Sequence, residues 1–269
     1  MAKVNKFLSF IRTILETPSL INLVLDSSFE SEKKFKKKYT EISSLPQIDL
    51  KLLGKEIAGD IDTFILDGSS LITDLQLLKT LSMRDDINSY IEIGTWRGES
   101  VYNVAKHVED CTTINLSKEE MKEMGLNVKY ADQHGILSQK NPQIIHLEAN
   151  TKFFDFSALN KKYDLVFIDG DHSYEMVLND TKKVFENLLH ENSIVVWHDY
   201  AYSPRKIRYE VFQAILDGVG KENHGYLYHP QNTMCAIFIK GKFPTTLFDD
   251  MAIPSKVFNV KIHSEEFSS

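Results

Sequence analysis

The feature that most constrains this chain is an alternation that begins at Ser89. Six short apolar, β-branched runs follow one another: "YIEIGT", "TTINL", "QIIHLEA", "DLVFIDG", "SIVVWHD" and "CAIFIKG". Between several of them lie segments with helical spacing: "GESVYNVAKHVE", "SYEMVLNDTKKVFENLLHE" and "KIRYEVFQAILDGV". Continuous apolar strands that alternate with helices are buried on both faces. The pattern therefore predicts an α/β fold with a parallel sheet covered on each side. In the helix after Asp171, Met176, Val177, Asp180, Val184, Phe185 and Leu188 form a mostly apolar stripe, and Lys182, Lys183 and Glu186 lie elsewhere.

Upstream of Ser89 the texture is helical. Val4, Phe7, Leu8, Ile11 and Leu15 recur at helical spacing until Pro18 ends the pattern. The basic run "SEKKFKKKYTE" reads as a solvated face. "GSSLITDLQLLKTLSMR" predicts a helix starting near Ser69 or Ser70, with Leu71, Leu75, Leu78 and Leu81 on one face. Ser117 and Glu120 form an S-x-x-E capping box, and residues 125–141 read as a longer loop or insertion. We expect a helical extension over residues 1–75 acting as a lid or dimer contact, and a main domain over 76–242. A tail over 243–269 follows, in which "KVFNVKI" adds an edge strand.

Composition excludes several classes. A chain of 269 residues with 42% hydrophobic and 26% charged residues is an ordinary globular sequence. Its formal net charge of -7 argues against a nucleic-acid partner, which needs a basic face. Two cysteines without a CxxC pair point to a reducing, cytoplasmic setting. Arg12, Glu16, Pro18 and Asn22 interrupt the apolar N-terminus, so no run approaches the roughly 20 residues of a membrane span. The first helix is instead expected to pack on the domain or on a second subunit, as in a homodimer.

In an open α/β sheet, ligands bind beyond the carboxyl ends of the strands. Asp169, Asp171 and His172 follow one apolar run there, and His198 and Asp199 follow another. The first strand leads into "EIGTWRG", where Gly94 and Gly98 bracket a tight turn into a helix. A dinucleotide fingerprint needs glycines where Trp96 and Glu99 stand, and an indole there keeps a pyrophosphate from the backbone.

E-x-G-x-x-x-G after the first strand, D-G-D-H after the fourth and H-D after the fifth resemble the class I S-adenosylmethionine-dependent methyltransferases. The likeness is to the branch with small-molecule and sugar O-methyltransferases and cephalosporin-hydroxylase-like proteins. It covers roughly Leu71 to Lys240. It implies a Rossmann-like, doubly wound, mostly parallel seven-stranded sheet with the last strand antiparallel. It further implies an enzyme that uses S-adenosylmethionine to methylate a small hydroxylated acceptor, such as a sugar or secondary metabolite. Glu92, Gly94, Thr95 and Gly98 would wrap the amino-acid end of the cofactor, with Glu92 holding its ammonium group. The second strand in that family ends in an acid that takes both ribose hydroxyls, and here Asn115 stands in its place. Asn150 would lie near the adenine edge, and Asp169 beside the transferred methyl group.

In metal-dependent relatives the equivalents of Asp169, His198 and Asp199 bind a divalent cation, here Mg²⁺ or Mn²⁺, and Asp171 acts as general base. The residues leave two alternatives open. Imidazole with carboxylates suits Mn²⁺, Fe²⁺ or Zn²⁺ better than Mg²⁺; without a metal, His198 or His172 serves directly as the base. Asn115 also keeps open a non-catalytic, cofactor-binding or scaffold protein with the same fold.

Overall fold

The computed structural model describes residues 2–16, 28–54 and 59–267. All six predicted strands form within it. After β1 (Gln47–Ile48) come β2 (Ser89–Ile93), β3 (Asp110–Asn115), β4 (Ile144–Glu148), β5 (Tyr163–Ile168) and β6 (Leu189–Trp197). The hairpin β7 (Ala201–Ser203) and β8 (Lys206–Ile207) stands apart, and β9 (Leu227–Pro230), β10 (Ala236–Phe238) and β11 (Thr245–Thr246) complete the set. The main sheet runs β11-β1-β9-β10-β6-β5-β2-β3-β4. Strands β4, β3, β2, β5 and β6 are parallel, whereas β10 is antiparallel to both of its neighbours. The expected seven strands are extended by two short ones, β1 and β11, for a total of nine among the described residues.

Alternate residues of the central strands feed two cores. Ile91, Ile93, Val166, Ile168, Val195 and Trp197 face helices α7 (Tyr174–Asn187) and α8 (Tyr209–Val219), which supply Val177, Val184, Phe212 and Ile215. Tyr90, Leu165, Phe167, Ile194 and Val196 face α3 (Ile72–Ser82) and α4 (Glu99–Val104), which supply Leu77, Leu78, Leu81 and Val101. This double burial is why the strands read as continuous apolar runs. The Trp197 indole N–H is satisfied in the first core by Thr181 Oγ1 at 2.9 Å.

Several expectations are corrected. The extension is not purely helical, because β1 enters the sheet parallel to β9 and antiparallel to β11. The tail does supply an edge strand, but at Thr245–Thr246. Residues 256–262 form no strand; Val257, Val260 and Ile262 are exposed and find no strand to pair with. Helix α3 starts at Ile72 because the Ser69 hydroxyl is bonded to Glu99, and Asp74 instead receives the Leu71 N–H at 3.0 Å. The basic run forms α2 (Ser28–Lys38), whose Phe35 is fully buried and stacks on Phe212. In α1 (Ala2–Glu16), Val4, Phe7, Phe10, Ile11 and Leu15 are exposed, and Pro18 lies outside the described residues. The capping box of Ser117 and Glu120 forms as expected at α5 (Lys118–Glu123). The segment 125–141 folds into α6 (Val128–Ala131) and a 3₁₀ turn, Ser138–Lys140. No described helix is long and apolar enough to cross a membrane.

Candidate active site

Strand register brings the site together. Ile93 stands beside Ile114 and Ile168, and Ile168 beside Trp197. The residues that leave these strands therefore emerge in one row: Asn115, Gly94, Asp169 and His198. Backbone bonds continue the ladder past the strand ends, from Gly94 N to Ile114 O (2.9 Å), Asp169 N to Ile93 O (2.8 Å) and His198 N to Ile168 O (3.0 Å). Gly94 has a φ of +93°, and a Cβ there would stand 2.1 Å from the Asp169 carbonyl oxygen. Gly94→Ala is expected to cost about 2–3 kcal/mol, read by urea unfolding. Gly225→Ala, whose Cβ meets nothing within 4 Å, is the matched control and should change little.

Glu92 is not on this rim. It is fully buried beneath the turn and accepts hydrogen bonds from Ser100 Oγ (2.6 Å), Tyr90 Oη (2.8 Å) and Thr113 Oγ1 (3.0 Å). Burial pushes its pKa up to about 8, although these three bonds pull it down. The Thr95 and Thr113 hydroxyls are bonded at 2.5 Å. Gly98 caps α4 in a left-handed conformation against Ser138.

The centre of the rim is His198. Its Nδ1 lies 3.1 Å from Asp169 Oδ1 and 3.2 Å from Asp199 Oδ2, and its Nε2 lies 3.2 Å from Asp74 Oδ2. Burial opposes a charge on the ring, but the field of Asp169 and the bonds to all three carboxylates outweigh it. The His198 pKa is held well above its ordinary 6.5. Burial raises Asp169 despite the neighbouring imidazolium. Burial would raise Asp199 too, but His198, His172 and Arg208 together bring it below its ordinary value. Asp199 has a φ of +55°, a left-handed conformation imposed at the point where the chain leaves the strand.

Asp74 and Arg208 were not foreseen. Asp74 is fully buried, and its Oδ1 accepts the Met234 N–H at 2.8 Å. The signal was present in α3: Asp74 falls between Leu71, Leu75 and Leu78, an acid on an apolar face. Arg208 lies at the start of α8 and reaches Asp199 at 3.5 Å, a pairing that no local pattern announces. His172 is half exposed, with Nδ1 3.3 Å from Asp199 Oδ2. Asp171 accepts the Ser173 N–H at 2.6 Å; burial opposes its charge, but that bond, His172 and Arg208 lower its pKa.

On the other flank, Asn115 donates to Leu116 O (3.0 Å), meets His134 Nδ1 at 2.9 Å and receives the Thr95 N–H at 3.4 Å. Asn150 closes the turn after β4 by accepting the Lys152 N–H. The strap of residues 63–69 is clamped onto the glycine turn. Glu99 accepts from Thr63, Phe64 and Ser69, and Arg97 donates to Asp67 O and Ser69 Oγ.

Two groups of potential cation ligands lie here, with donor atoms within 4.8 Å of one another: Asp169, His198 and Asp199, and Asp74, His198 and Cys235. The first set is part-exposed at the rim, and its one nitrogen and two oxygens fit a divalent ion. A small cleft of about 10 Å³ is lined by Asp169, Asp171, His172, His198 and Asp199, among others. A larger cavity of about 180 Å³ is bordered by Arg205, Lys206, Tyr209 and Phe248.

A glycine turn, a strand order with β2 at its switch point and a polar rim define a Rossmann-like nucleoside-binding fold. Residues 91–200 match the family model described as a methyltransferase domain. Over this stretch, about two fifths of the chain, the sequence is similar to a methyltransferase domain, the likeness that its strand-end motifs announced. Uncharacterized protein R132 of Acanthamoeba polyphaga mimivirus is 28% identical over 140 residues, 49% of this chain and 61% of that protein. The match thus spans about three fifths of the length of that curated relative. Among solved structures, cofactor-bound Rv0187 from MTB aligns at 14% identity with a TM-score of 0.45, covering 65% of this chain and 83% of that one. The S-adenosylmethionine-bound amino pentose methyltransferase CalS10 from Micromonospora echinaspora aligns at 11% identity with a TM-score of 0.38, covering 52% and 55%.

Proposed function

We propose that this protein transfers a methyl group from S-adenosylmethionine to a hydroxyl of a small acceptor, such as a sugar or secondary metabolite. The observation that carries the reading is the row Gly94, Asp169, His198 and Asp199, set in register beside the glycine turn. Bound S-adenosylmethionine supplies a sulfonium methyl group and departs as the neutral thioether. The residues fit such a group. Asp169 offers a part-exposed carboxylate as counter-charge, and Gly94 lets the turn pass directly against the Asp169 backbone, which holds the turn beside that carboxylate. Asn115 and Asn150 flank the nucleoside side, while Glu92 supports the turn from beneath.

Proton removal falls to His172. Its Nδ1 lies 3.3 Å from the Asp199 carboxylate, a neighbour that favours the proton on that nitrogen and leaves Nε2 to take the proton of the acceptor hydroxyl. His198 plays another part, because an imidazolium held among three carboxylates has no site left for a proton. Asp171, tied to Ser173 and lowered in pKa, is the weaker base. A divalent cation would have to displace the Nδ1 proton of His198; held by that nitrogen, Asp169 and Asp199, with Nε2–H left to Asp74, it would lower the pKa of the acceptor hydroxyl, and this donor set favours Mn²⁺ over Mg²⁺.

Calorimetric titration with S-adenosylhomocysteine and with Mn²⁺ tests the reading. The wild type is expected to bind both, and Asp169→Asn to weaken Mn²⁺ at least about tenfold. Absence of heat with S-adenosylhomocysteine would sink it; absence of heat with Mn²⁺ alone would remove the metal and leave His172 as the unaided base. A second reading, a cofactor-binding protein without transfer, is favoured by the internally bonded Asn115. It gains support if S-adenosylhomocysteine binds but mass spectrometry finds no methylated product across a panel of alcohols.

A further inference from the structure

We propose that Trp96 and His134 form a paired hydrogen-bond donor site for the ribose oxygens of S-adenosylmethionine. The inference rests on the cofactor reading above and names the residues that replace a strand-end acid.

The two rings meet edge to face, with centroids 5.1 Å apart, and Tyr130 packs against both. Trp96 Nε1 and His134 Nε2 are buried atoms without a hydrogen-bond partner among the described residues. The proton position on His134 follows from its neighbour. Asn115 receives the Thr95 N–H through Oδ1, which directs its amide nitrogen at His134 Nδ1, 2.9 Å away. An amide nitrogen only donates, so Nδ1 accepts and the ring proton sits on Nε2. Burial, aided by Lys118, lowers the ring pKa to about 4, so His134 is neutral at physiological pH. Both orphaned atoms are therefore N–H donors. A buried donor left unpaired costs about 1–3 kcal/mol, so each of these two calls for an acceptor. Gly68, with φ +79°, passes close over the indole; a Cβ there would crowd Nε1 at 3.3 Å, so only glycine leaves that edge of the ring uncrowded.

The location identifies the acceptor. Asn115 ends the strand next to the glycine turn, about 20 residues past it, where Rossmann-like folds meet a ribose hydroxyl. An acid there accepts from the hydroxyls. Asn115 spends its side chain on Thr95, Leu116 and His134, and the polarity is reversed: the donors belong to the protein and the ribose oxygens accept. This gives the segment 125–141 a purpose, since it delivers both His134 and Tyr130.

The test is isothermal titration of wild type, Trp96→Phe and His134→Phe with S-adenosylhomocysteine and with its 2′,3′-dideoxy analogue, with melting temperatures in parallel. Each variant keeps an aromatic ring but loses its N–H. Each is expected to bind S-adenosylhomocysteine about tenfold more weakly. With the dideoxy analogue the difference from wild type is expected to shrink below about twofold. Wild-type-like affinity in both variants, or an equal loss with both ligands, overturns the donor assignment and leaves the cofactor reading standing. No binding by the wild type sinks the cofactor reading and this inference with it.

Discussion

Replacing His198 with alanine is expected to destabilise the protein by about 3–5 kcal/mol, measured by urea unfolding at neutral pH. The imidazolium is the one cation between Asp74 and the rim carboxylates, and its side chain is only 8% exposed. Removing it leaves Asp74, itself fully buried, without its counter-ion, while Asp199 keeps only Arg208 and His172. Breaking one partner of a buried pair is costly because the other stays charged in a poor solvent for charge. Adding Asp74→Asn should therefore recover about 1–2 kcal/mol in the alanine background, although alone it destabilises. Such non-additivity is the signature of a charge network. A cost below about 1 kcal/mol for His198→Ala, or additive effects in the cycle, would show that the cluster is not one.

Between about pH 5 and pH 8 the protein is expected to lose stability as the solution becomes more alkaline. Burial raises Glu92 from 4.5 to about 8, so the folded state holds a proton there that the unfolded chain has already released. The contribution is complete below the unfolded pKa and is lost as pH rises through the folded one. A rise of that size is worth at most about 5 kcal/mol over the window. His198 acts in the same direction, since its folded pKa is also raised and its contribution fades as pH climbs. Glu92→Gln keeps the side-chain shape and carries no ionisable proton. Its melting temperature should therefore vary less with pH than that of the wild type. Parallel pH profiles for the two proteins would mean that Glu92 is ionised when folded and that the sealed environment described for it is wrong.

How much of this was legible beforehand depended on whether the relevant force was local. The strands announced themselves because burial on both faces needs unbroken apolar runs, as in "DLVFIDG". The convergence of Asp169, His198 and Asp199 was legible for a related reason: parallel register carries strand ends to one edge. Glu92 was legible as a strand residue but not as a sealed one, because Tyr90, Ser100 and Thr113 close around it only in three dimensions. The strand at Gln47–Ile48 is too short for periodicity to register and exists because β9 and β11 offer backbone partners. Asp74 left a trace as an acid in an apolar stripe, yet nothing local says that His198 will meet it.

That long reach has a consequence for biosynthesis. Asp74 waits for a histidine 124 residues further on and for a backbone amide 160 residues further on. Strand β1 pairs with β9, which emerges from the ribosome late. The nascent chain can assemble β2 to β5 early, but the polar rim is completed only when Met234 has left the tunnel. Truncated translation products would therefore carry most of the sheet without the finished polar rim.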